Sequence, residues 1–417
     1  MNIREYTKYK ERKAGKNIQN FPDSSGRVED TEGIQKEYER KIKKHRINLA
    51  MLLGLFLIIG IAVVGVWRTY SAGATYTGYE IINSVERADA DTAKYVPYNG
   101  GMLKYSNDGA AFIGSDLKEK WNQTYQMQEP LYAICDSAVA LADKNGTTIY
   151  ILNENGLRAE VNTLLPIKKL DVSAQGVTAA SLEDSGKSWI KLYSPTTPEE
   201  ELAATKILME ESGYPVDLCL SNDGIKFGIS HLSVEGGEAK ATLAFHNLGS
   251  VGENEIDNFV GSTSYTGSVF PMFDYINSDT AVAFGSDKIE VFAGKQIPEL
   301  SFELSLEEEV EKVFYSESYI GMVLKNTQDT GKYRMDIYDL KGKKIFSEGF
   351  DKEYTNVILS GETILMYSES ECCVYSINGV CKLDKSFDKT ILAMTITGKN
   401  RYMLITEENI QTIKLVR

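Results

Sequence analysis

The sequence predicts an all-β body behind one apolar helix, and three observations support this. From about residue 90 to the end, the chain consists of short alternating segments with turn signals about every eight to twelve residues, and it contains hardly a convincing helix. These segments group in sets of four that recur at about forty residues. The last set is one strand short, and an earlier segment can complete it. This pattern predicts a β-propeller, with eight blades favoured and seven as the alternative.

Three sets of strands illustrate the repeat. One set has predicted strands at 131–136, 139–143, 148–152 and 158–163, and another at 269–276, 281–285, 288–292 and 300–304. The final set has only 391–396, 402–405 and 411–415. We expect residues 75–84 to supply its missing outer strand, because pairing the two ends of the chain closes the ring and removes exposed strand edges.

Dipeptides that favour tight hairpin turns separate these strands. Both central positions of a type I′ turn need a positive φ, which Asn, Asp and Gly tolerate best. The dipeptides are Asn145-Gly146, Asn155-Gly156, Asn378-Gly379, Asp108-Gly109 and Asp223-Gly224. Their number supports a meander of short antiparallel strands.

The apolar stretch runs from Ile47 to Trp67, about twenty residues without a charge. As a helix it spans about 30 Å, the thickness of the hydrocarbon core of a bilayer. Five basic residues stand just before it, whereas Arg68 alone follows closely. The positive-inside bias therefore predicts a cytoplasmic N-terminus and an exported body. We expect an uncleaved signal anchor, and a signal peptide cleaved near residues 71–74 is the alternative.

These observations predict four regions with opposite charge on the two sides of the membrane. They are a mostly disordered basic tail (1–46), a transmembrane helix (47–68), a linker with the ring-closing strand (69–89) and an extracytoplasmic propeller (90–417). The tail carries a formal charge of +5, and the rest of the chain carries −19. An acidic body argues against nucleic acid as a partner and against an anionic lipid surface.

A resemblance to a known family covers nearly the whole chain. It is carried by YNGGMLKYSNDG at 98–109, followed by WNQTY at 121–125 and by Pro130. In these residues and in its layout, the sequence resembles an uncharacterised family of single-pass, propeller-like proteins of Gram-positive bacteria. The resemblance implies a membrane-anchored propeller and supplies no catalytic residues. In architecture the sequence is also similar to eight-bladed scaffold propellers of bacterial envelope machines.

No arrangement of residues marks a known chemistry. His231 and His246 are the only histidines beyond the apolar stretch, and they lack metal-binding spacing. A GxSxG motif is absent. The segment 184–189 partly matches the Asp-box turn of sialidase-like propellers, which stabilises a hairpin and is not an active site. We therefore assign no catalytic, cofactor-binding or metal site, no cofactor and no enzymatic activity.

Cysteines and glutamate runs receive structural interpretations. The five cysteines, Cys135, Cys219, Cys372, Cys373 and Cys381, do not form a disulfide framework, and we expect small buried side chains. A two-residue turn at 378–379 would separate Cys373 from Cys381. We predict that the glutamate run 199–201 lies in a loop and that the run 307–309 lies between two blades. Solvated carboxylates are the simpler interpretation of both runs, and a calcium site is the alternative.

The function predicted from the sequence is protein docking. A propeller presents broad faces built from loops, and this one has no recognised catalytic motif. We expect a scaffold module of the cell envelope, held in the membrane and bound to envelope or membrane proteins. The alternatives are a ligand-sensing ectodomain and a glycan-active hydrolase or lyase, the last of which would need a pair of carboxylates.

Overall fold

The computed structural model describes residues 40, 43–45, 47, 50–61, 73–88, 92–327 and 331–417. The chain divides into two compact units, Met1–Tyr70 and Ser71–Arg417. The first unit contains a helix, Lys43–Ile61, that is long and apolar enough to cross a membrane. The predicted tail (1–46) lies almost wholly outside the described residues, and the predicted span (47–67) lies partly outside them.

The second unit is a propeller of eight blades, and each blade is a four-stranded antiparallel sheet. This confirms the fold predicted from the sequence and its favoured number of blades. Blades 1 and 2 consist of β2 (Lys94–Tyr98), β3 (Gly101–Tyr105), β4 (Gly109–Ile113) and β5 (Glu119–Thr124), then β6 (Pro130–Cys135), β7 (Ala138–Asp143), β8 (Thr148–Asn153) and β9 (Gly156–Asn162).

The next four blades follow in chain order. Blades 3 and 4 consist of β10 (Ile167–Val172), β11 (Thr178–Asp184), β12 (Lys187–Ser194) and β13 (Thr197–Leu208), then β14 (Tyr214–Leu220), β15 (Lys226–Glu235), β16 (Glu238–Asn247) and β17 (Phe259–Thr266). Blades 5 and 6 consist of β18 (Met272–Asn277), β19 (Thr280–Phe284), β20 (Lys288–Ala293) and β21 (Glu299–Ser305), then β22 (Val310–Tyr315), β23 (Tyr319–Lys325), β24 (Tyr333–Asp339) and β25 (Lys344–Phe350). A short helix, Met209–Ser212, joins blades 3 and 4, and a 3-10 turn, Ile256–Asn258, precedes β17.

Blade 8 is built from both ends of the second unit. Blade 7 consists of β26 (Asn356–Ser360), β27 (Thr363–Tyr367), β28 (Glu371–Ser376) and β29 (Cys381–Ser386), and blade 8 of β30 (Ile391–Gly398), β31 (Arg401–Thr406), β32 (Asn409–Val416) and β1 (Gly78–Glu86). The outer strand β1 pairs antiparallel with β32, from Gly78 opposite Val416 to Glu86 opposite Asn409. The ring therefore closes as the sequence predicts.

The first strand of each blade lies nearest the ring axis, because neighbouring first strands contact one another. The core consists of eight apolar layers, one between each pair of neighbouring blades. In the layer between blades 2 and 3, for example, Ile149 and Ile151 pack against Leu182 and Tyr193. Each blade therefore buries its two faces against different neighbours.

The turns differ in detail from the prediction. The five predicted dipeptides lie at hairpin turns, but none has two positive φ angles. Asp257-Asn258, in the long connection between β16 and β17, has two positive φ angles. Among the described hairpin turns of two residues, those that do are Asn99-Gly100, Ser185-Gly186 and Gly236-Gly237. The second is the partial Asp-box match, which forms the β11–β12 hairpin. Glu199–Glu201 lie on the outer strand β13 and not in a loop, because the chain enters β13 directly after a two-residue turn.

The pairing of β1 with β32 should control the stability of the whole ring. Consider two chains without the apolar helix, one beginning at residue 73 and one at residue 88. Loss of β1 exposes the edge of β32 and removes the stacking of Tyr79 on Phe387, whose ring centroids are 5.0 Å apart. We expect the melting temperature, measured by circular dichroism, to fall by about 10 °C or more in the shorter chain. Equal melting temperatures would contradict this role.

Candidate functional site

Three aspartates near the ring axis join successive blades. Asp171 of β10 accepts a hydrogen bond from the backbone N–H of Leu220 in blade 4 at 2.7 Å. Asp217 of β14 accepts one from the N–H of Phe273 in blade 5 at 2.9 Å. Asp274 of β18 accepts one from the Tyr315 hydroxyl in blade 6. The same contact thus recurs at three consecutive interfaces, and we call these residues the axial aspartates.

The axial aspartates lie close enough to affect one another's charge. Burial raises the pKa of Asp274 to about 6, and the nearby Asp217 carboxylate adds to the shift. Burial and the negative charge of Asp274 also raise the pKa of Asp171. Asp217 has a cation beside it, since Lys169 Nζ lies 2.7 Å from its carboxylate. Each carboxylate is engaged in a contact between blades, so the cluster has a structural role.

The glutamate run at 307–309 lies between blades 5 and 6, and two of its carboxylates form ion pairs with basic side chains. Glu308 pairs with Arg334, whose Nε lies 3.2 Å from the buried carboxylate of Asp336. Glu309 lies 2.6 Å from Lys325 Nζ. No group of three or more His, Cys, Asp or Glu side chains that could hold a metal ion occurs among the described residues.

Two cysteines that the turn was expected to separate come together. The loop after β28 has four residues, Ile377–Val380, and a bulge sets Cys381 opposite Tyr375. Cys373 is two residues from Tyr375 on the same side of the sheet, so its Sγ lies 3.7 Å from that of Cys381. The Cys373 thiol donates toward Cys381 and lowers the pKa of that thiol to about 7. All five cysteines are free thiols.

An open cleft between blades 3 and 4, which we call the histidine cleft, contains buried polar side-chain atoms that find no hydrogen-bond partner among the described residues. Its volume is about 450 Å³. Blade 3 contributes the end of β13 and the short helix after it, and blade 4 contributes one face of β15, β16 and β17. The lining residues are Thr205, Lys206, Ile207, Glu211, Ser212, Ile229, His231, Ser233, Lys240, Thr242, Ala244, His246, Ile256, Asp257, Phe259 and Ser262.

The two histidines stand on adjacent strands in this cleft. His246 stacks on Phe227 with ring centroids 4.4 Å apart, and its Nδ1 donates a hydrogen bond to the Asp257 carbonyl at 2.9 Å. Its Nε2 is therefore free of a proton in the neutral ring. His231 lies on β15, and burial lowers the pKa of its ring to about 4. Burial also lowers the pKa of His246. Both rings are thus neutral at neutral pH.

Two buried polar atoms of this cleft have no hydrogen-bond partner within the described part of the chain. They are Nδ1 of His231 and Oγ1 of Thr205, whose residues are only 7% and 6% exposed. A buried polar atom without a partner costs free energy. The spacing of the two histidines in the sequence gives no sign that they share a cleft. Thr205 was missed, because nothing local in a sequence shows that a strand residue borders a gap between blades.

Comparison with known proteins bears on the family and the fold. The profile of a family of unknown function, DUF5711, matches residues 72–415. The chain belongs to this family. No curated protein sequence matches it significantly. This DUF5711 chain is similar in structure to Saccharomyces cerevisiae Sqt1, with a TM-score of 0.52, 10% identity, and coverage of 83% of this chain and 100% of that one.

Two other solved structures show weaker similarity. Moraxella catarrhalis BamB has a TM-score of 0.48 and 10% identity, over 81% of this chain and 100% of that one. Kuenenia stuttgartiensis hydrazine synthase has a TM-score of 0.45 and 10% identity, over 69% of this chain and 96% of that one. At 10% identity, the similarity to Sqt1 bears on the fold alone, and the function of this DUF5711 protein has to be argued from its own residues.

The axial aspartates predict a specific pH dependence. Because the pKa of Asp274 is raised in the folded state, the folded chain retains a proton that the unfolded chain loses between about pH 4 and pH 6. This contribution to the free energy of unfolding is therefore lost as pH rises through that window. We expect Asp274→Asn to raise the free energy of unfolding at pH 7.5 by about 1 kcal/mol, after allowance for solvent near the axis.

The measurement is urea unfolding of both chains at several pH values. The gain should vanish below about pH 4, where Asp274 is neutral in both states. Asp108→Asn removes a carboxylate from an exposed loop of blade 1 and serves as the control, with no comparable gain expected. A loss of stability in Asp274→Asn at pH 7.5 would show that the charged form is preferred.

The paired thiols predict selective alkylation. At pH 7.5 a larger fraction of Cys381 than of Cys135 is ionised, because the neighbouring Cys373 lowers the pKa of Cys381, whereas burial raises the pKa of Cys135 to about 12. We expect brief iodoacetamide treatment, read by peptide mass spectrometry, to modify Cys381 first. Cys373→Ala removes the donor and should slow this modification roughly fivefold, as expected from the smaller ionised fraction. Faster modification of Cys135 would contradict the assignment.

Proposed function

We propose that this DUF5711 chain is a membrane-anchored docking protein whose propeller binds cationic segments of other envelope proteins. The apolar helix holds it in the cell membrane, with the N-terminus in the cytoplasm and the propeller outside. The observation that carries the proposal is a concentration of negative charge on one face of the ring. The opposite face carries less.

The acidic face is formed by the loops between the second and third strands of each blade and by the connections between blades. Because the strands are antiparallel, these two kinds of loop lie on the same side of the ring. Their described residues include fourteen acidic and five basic side chains. The acidic ones are Asp108, Glu129, Glu210, Glu211, Asp287, Glu307, Glu308, Glu309, Asp351, Glu353, Glu369, Asp388, Glu407 and Glu408.

The remaining loops form the opposite face, where ten acidic residues accompany five basic ones among the described residues, and Arg417 follows β32 on the same side. Complementary charge speeds association and selects the sign of the partner more than it adds affinity. The acidic face therefore favours a partner surface or segment rich in Lys and Arg. It disfavours anionic polymers such as nucleic acid.

A charge-reversed chain tests this proposal directly. We replace Glu307, Glu353, Glu369 and Glu407 by Lys, since all four are exposed on the acidic face of blades 5 to 8. Native membranes are crosslinked briefly, solubilised in mild detergent, and the tagged full-length chain is recovered. We expect the partners recovered with the unaltered chain to fall by at least about tenfold, and their recovery to decrease with added salt.

The matched control replaces four exposed glutamates of the opposite face, Glu154, Glu253, Glu255 and Glu317, by Lys. It therefore changes the net charge of the chain by the same amount. This variant should retain the partners. A chain lacking residues 69–417 shows which proteins bind without the propeller. Equal recovery by both charge-reversed chains, or recovery of the unaltered chain alone, would contradict docking through the acidic face.

A further inference from the structure

We propose that the histidine cleft binds a neutral carbohydrate. Its hydrogen-bonding groups lie in the gap between blades 3 and 4, and it shares one charged residue, Glu211, with the acidic face. Its volume of about 450 Å³ is within the range of small-molecule sites.

The two orphaned atoms show that the cleft wall is made for a polar occupant. Thr205 Oγ1 can donate and accept a hydrogen bond, and His231 Nδ1 can do either according to its tautomer. Neither atom has a hydrogen-bond partner among the described residues, although Thr205 and His231 are each more than nine-tenths buried. A ligand hydroxyl also donates and accepts, so it would satisfy either atom. Each atom exposes less than 1 Å² in the unliganded chain, so binding requires a small rotation of the Thr205 or His231 side chain toward the cleft.

The charge of the lining favours a neutral ligand. Both imidazoles are neutral at physiological pH, because burial lowers the pKa of each. Lys240 is engaged by Glu235, with 2.6 Å between Nζ and the carboxylate. Lys206 extends over the Trp189 ring, with Nζ 5.9 Å from its centroid. The lining also includes Glu211, so an anion would find no excess of positive charge here.

The remaining lining is rich in hydroxyl groups and includes one aromatic side chain. Four further hydroxyls line the cleft: Ser212, Ser233, Thr242 and Ser262. Phe259 is 43% exposed and meets the His246 ring edge-on at 5.7 Å. A sugar ring combines an apolar face, which can pack on an aromatic ring, with hydroxyls at its edge. The lining offers a partner for each part.

The wall also distinguishes a sugar from an extended peptide. Peptides commonly bind by adding a strand to the edge of a sheet, where backbone N–H and C=O groups are unpaired. The larger wall of the cleft is the flat face of β15, β16 and β17. The backbone of β15 and of β16 is paired with a strand on each side, whereas the outer edge of β17 lies at the rim and has no partner strand in this sheet. Recognition on the flat face must use side chains, as a polyhydroxylated ligand does.

The test uses the full-length chain in lipid nanodiscs, because many mild detergents carry sugar headgroups. Calorimetry and saturation-transfer NMR are run with the neutral disaccharides chitobiose, cellobiose and maltose, with a glucuronate-containing disaccharide, and with an uncharged tripeptide. We expect at least one neutral disaccharide to bind. The acidic disaccharide and the tripeptide should bind at least about tenfold more weakly.

Two variants locate the site. Thr205→Val preserves the shape and removes the orphaned hydroxyl, and His231→Phe preserves a ring without its nitrogens. Each should weaken the best disaccharide about tenfold, as expected for the loss of a buried hydrogen bond. Thr395→Val alters an equally buried threonine of blade 8 and should leave binding unchanged. Circular dichroism of each variant establishes that the ring remains folded.

Three outcomes would overturn the proposal: no disaccharide binds, the tripeptide binds best, or binding is the same in Thr205→Val as in the unaltered chain. In the first case, water alone would hydrogen-bond to His231 Nδ1 and Thr205 Oγ1. None of these outcomes bears on docking, because the cleft variants keep the acidic face intact and should recover the same crosslinked partners.

Discussion

Apolar burial between blades is the constraint on which the rest of this structure depends. No blade has a core of its own, since each of the eight apolar layers takes side chains from two neighbouring sheets. An open ring would leave two of these faces in water. The pairing of β1 with β32 brings together residues more than three hundred positions apart. The entropy cost of closing so long a loop grows only slowly with its length, whereas the layer gained is a full interface.

Polar contacts near the axis follow from the same geometry. The first strands of the blades converge there. Backbone N–H groups on the first strand of one blade therefore face side chains on the first strand of the blade before it. Asp171 and Asp217 bind such groups, and Asp274 binds a tyrosine hydroxyl instead. The convergence that makes these contacts also buries the carboxylates and brings them together, and burial first, then the charge of Asp217, raises the pKa of Asp274. The position of the axial aspartates therefore joins neighbouring blades and also places their negative charges close enough to repel one another.

Most of the fold could be predicted from the sequence, whereas little of the candidate site could. Strand positions such as 148–152 and the completion of blade 8 follow from alternating hydrophobicity and from counting strands, which are local properties. The approach of Cys373 to Cys381 depends on a bulge that shifts the register by one residue, and a register shift has no simple signal in composition. The axial aspartates are three among many acidic residues, and only the ring brings them together.

The histidine cleft begins where the side chains on one face of blade 4 change from apolar to polar, although β14 still pairs with β15 at His231. In blade 4, β15 and β16 are each ten residues long, whereas the inner strand β14 has seven. Along one face of β15, the side chains change from Phe227 and Ile229, which belong to the apolar layer with blade 3, to His231 and Ser233, which line the cleft. The buried layer ends where this change occurs. A strand that needed only to complete the core could stop there, so the polar extension of β15 indicates a separate use for that surface.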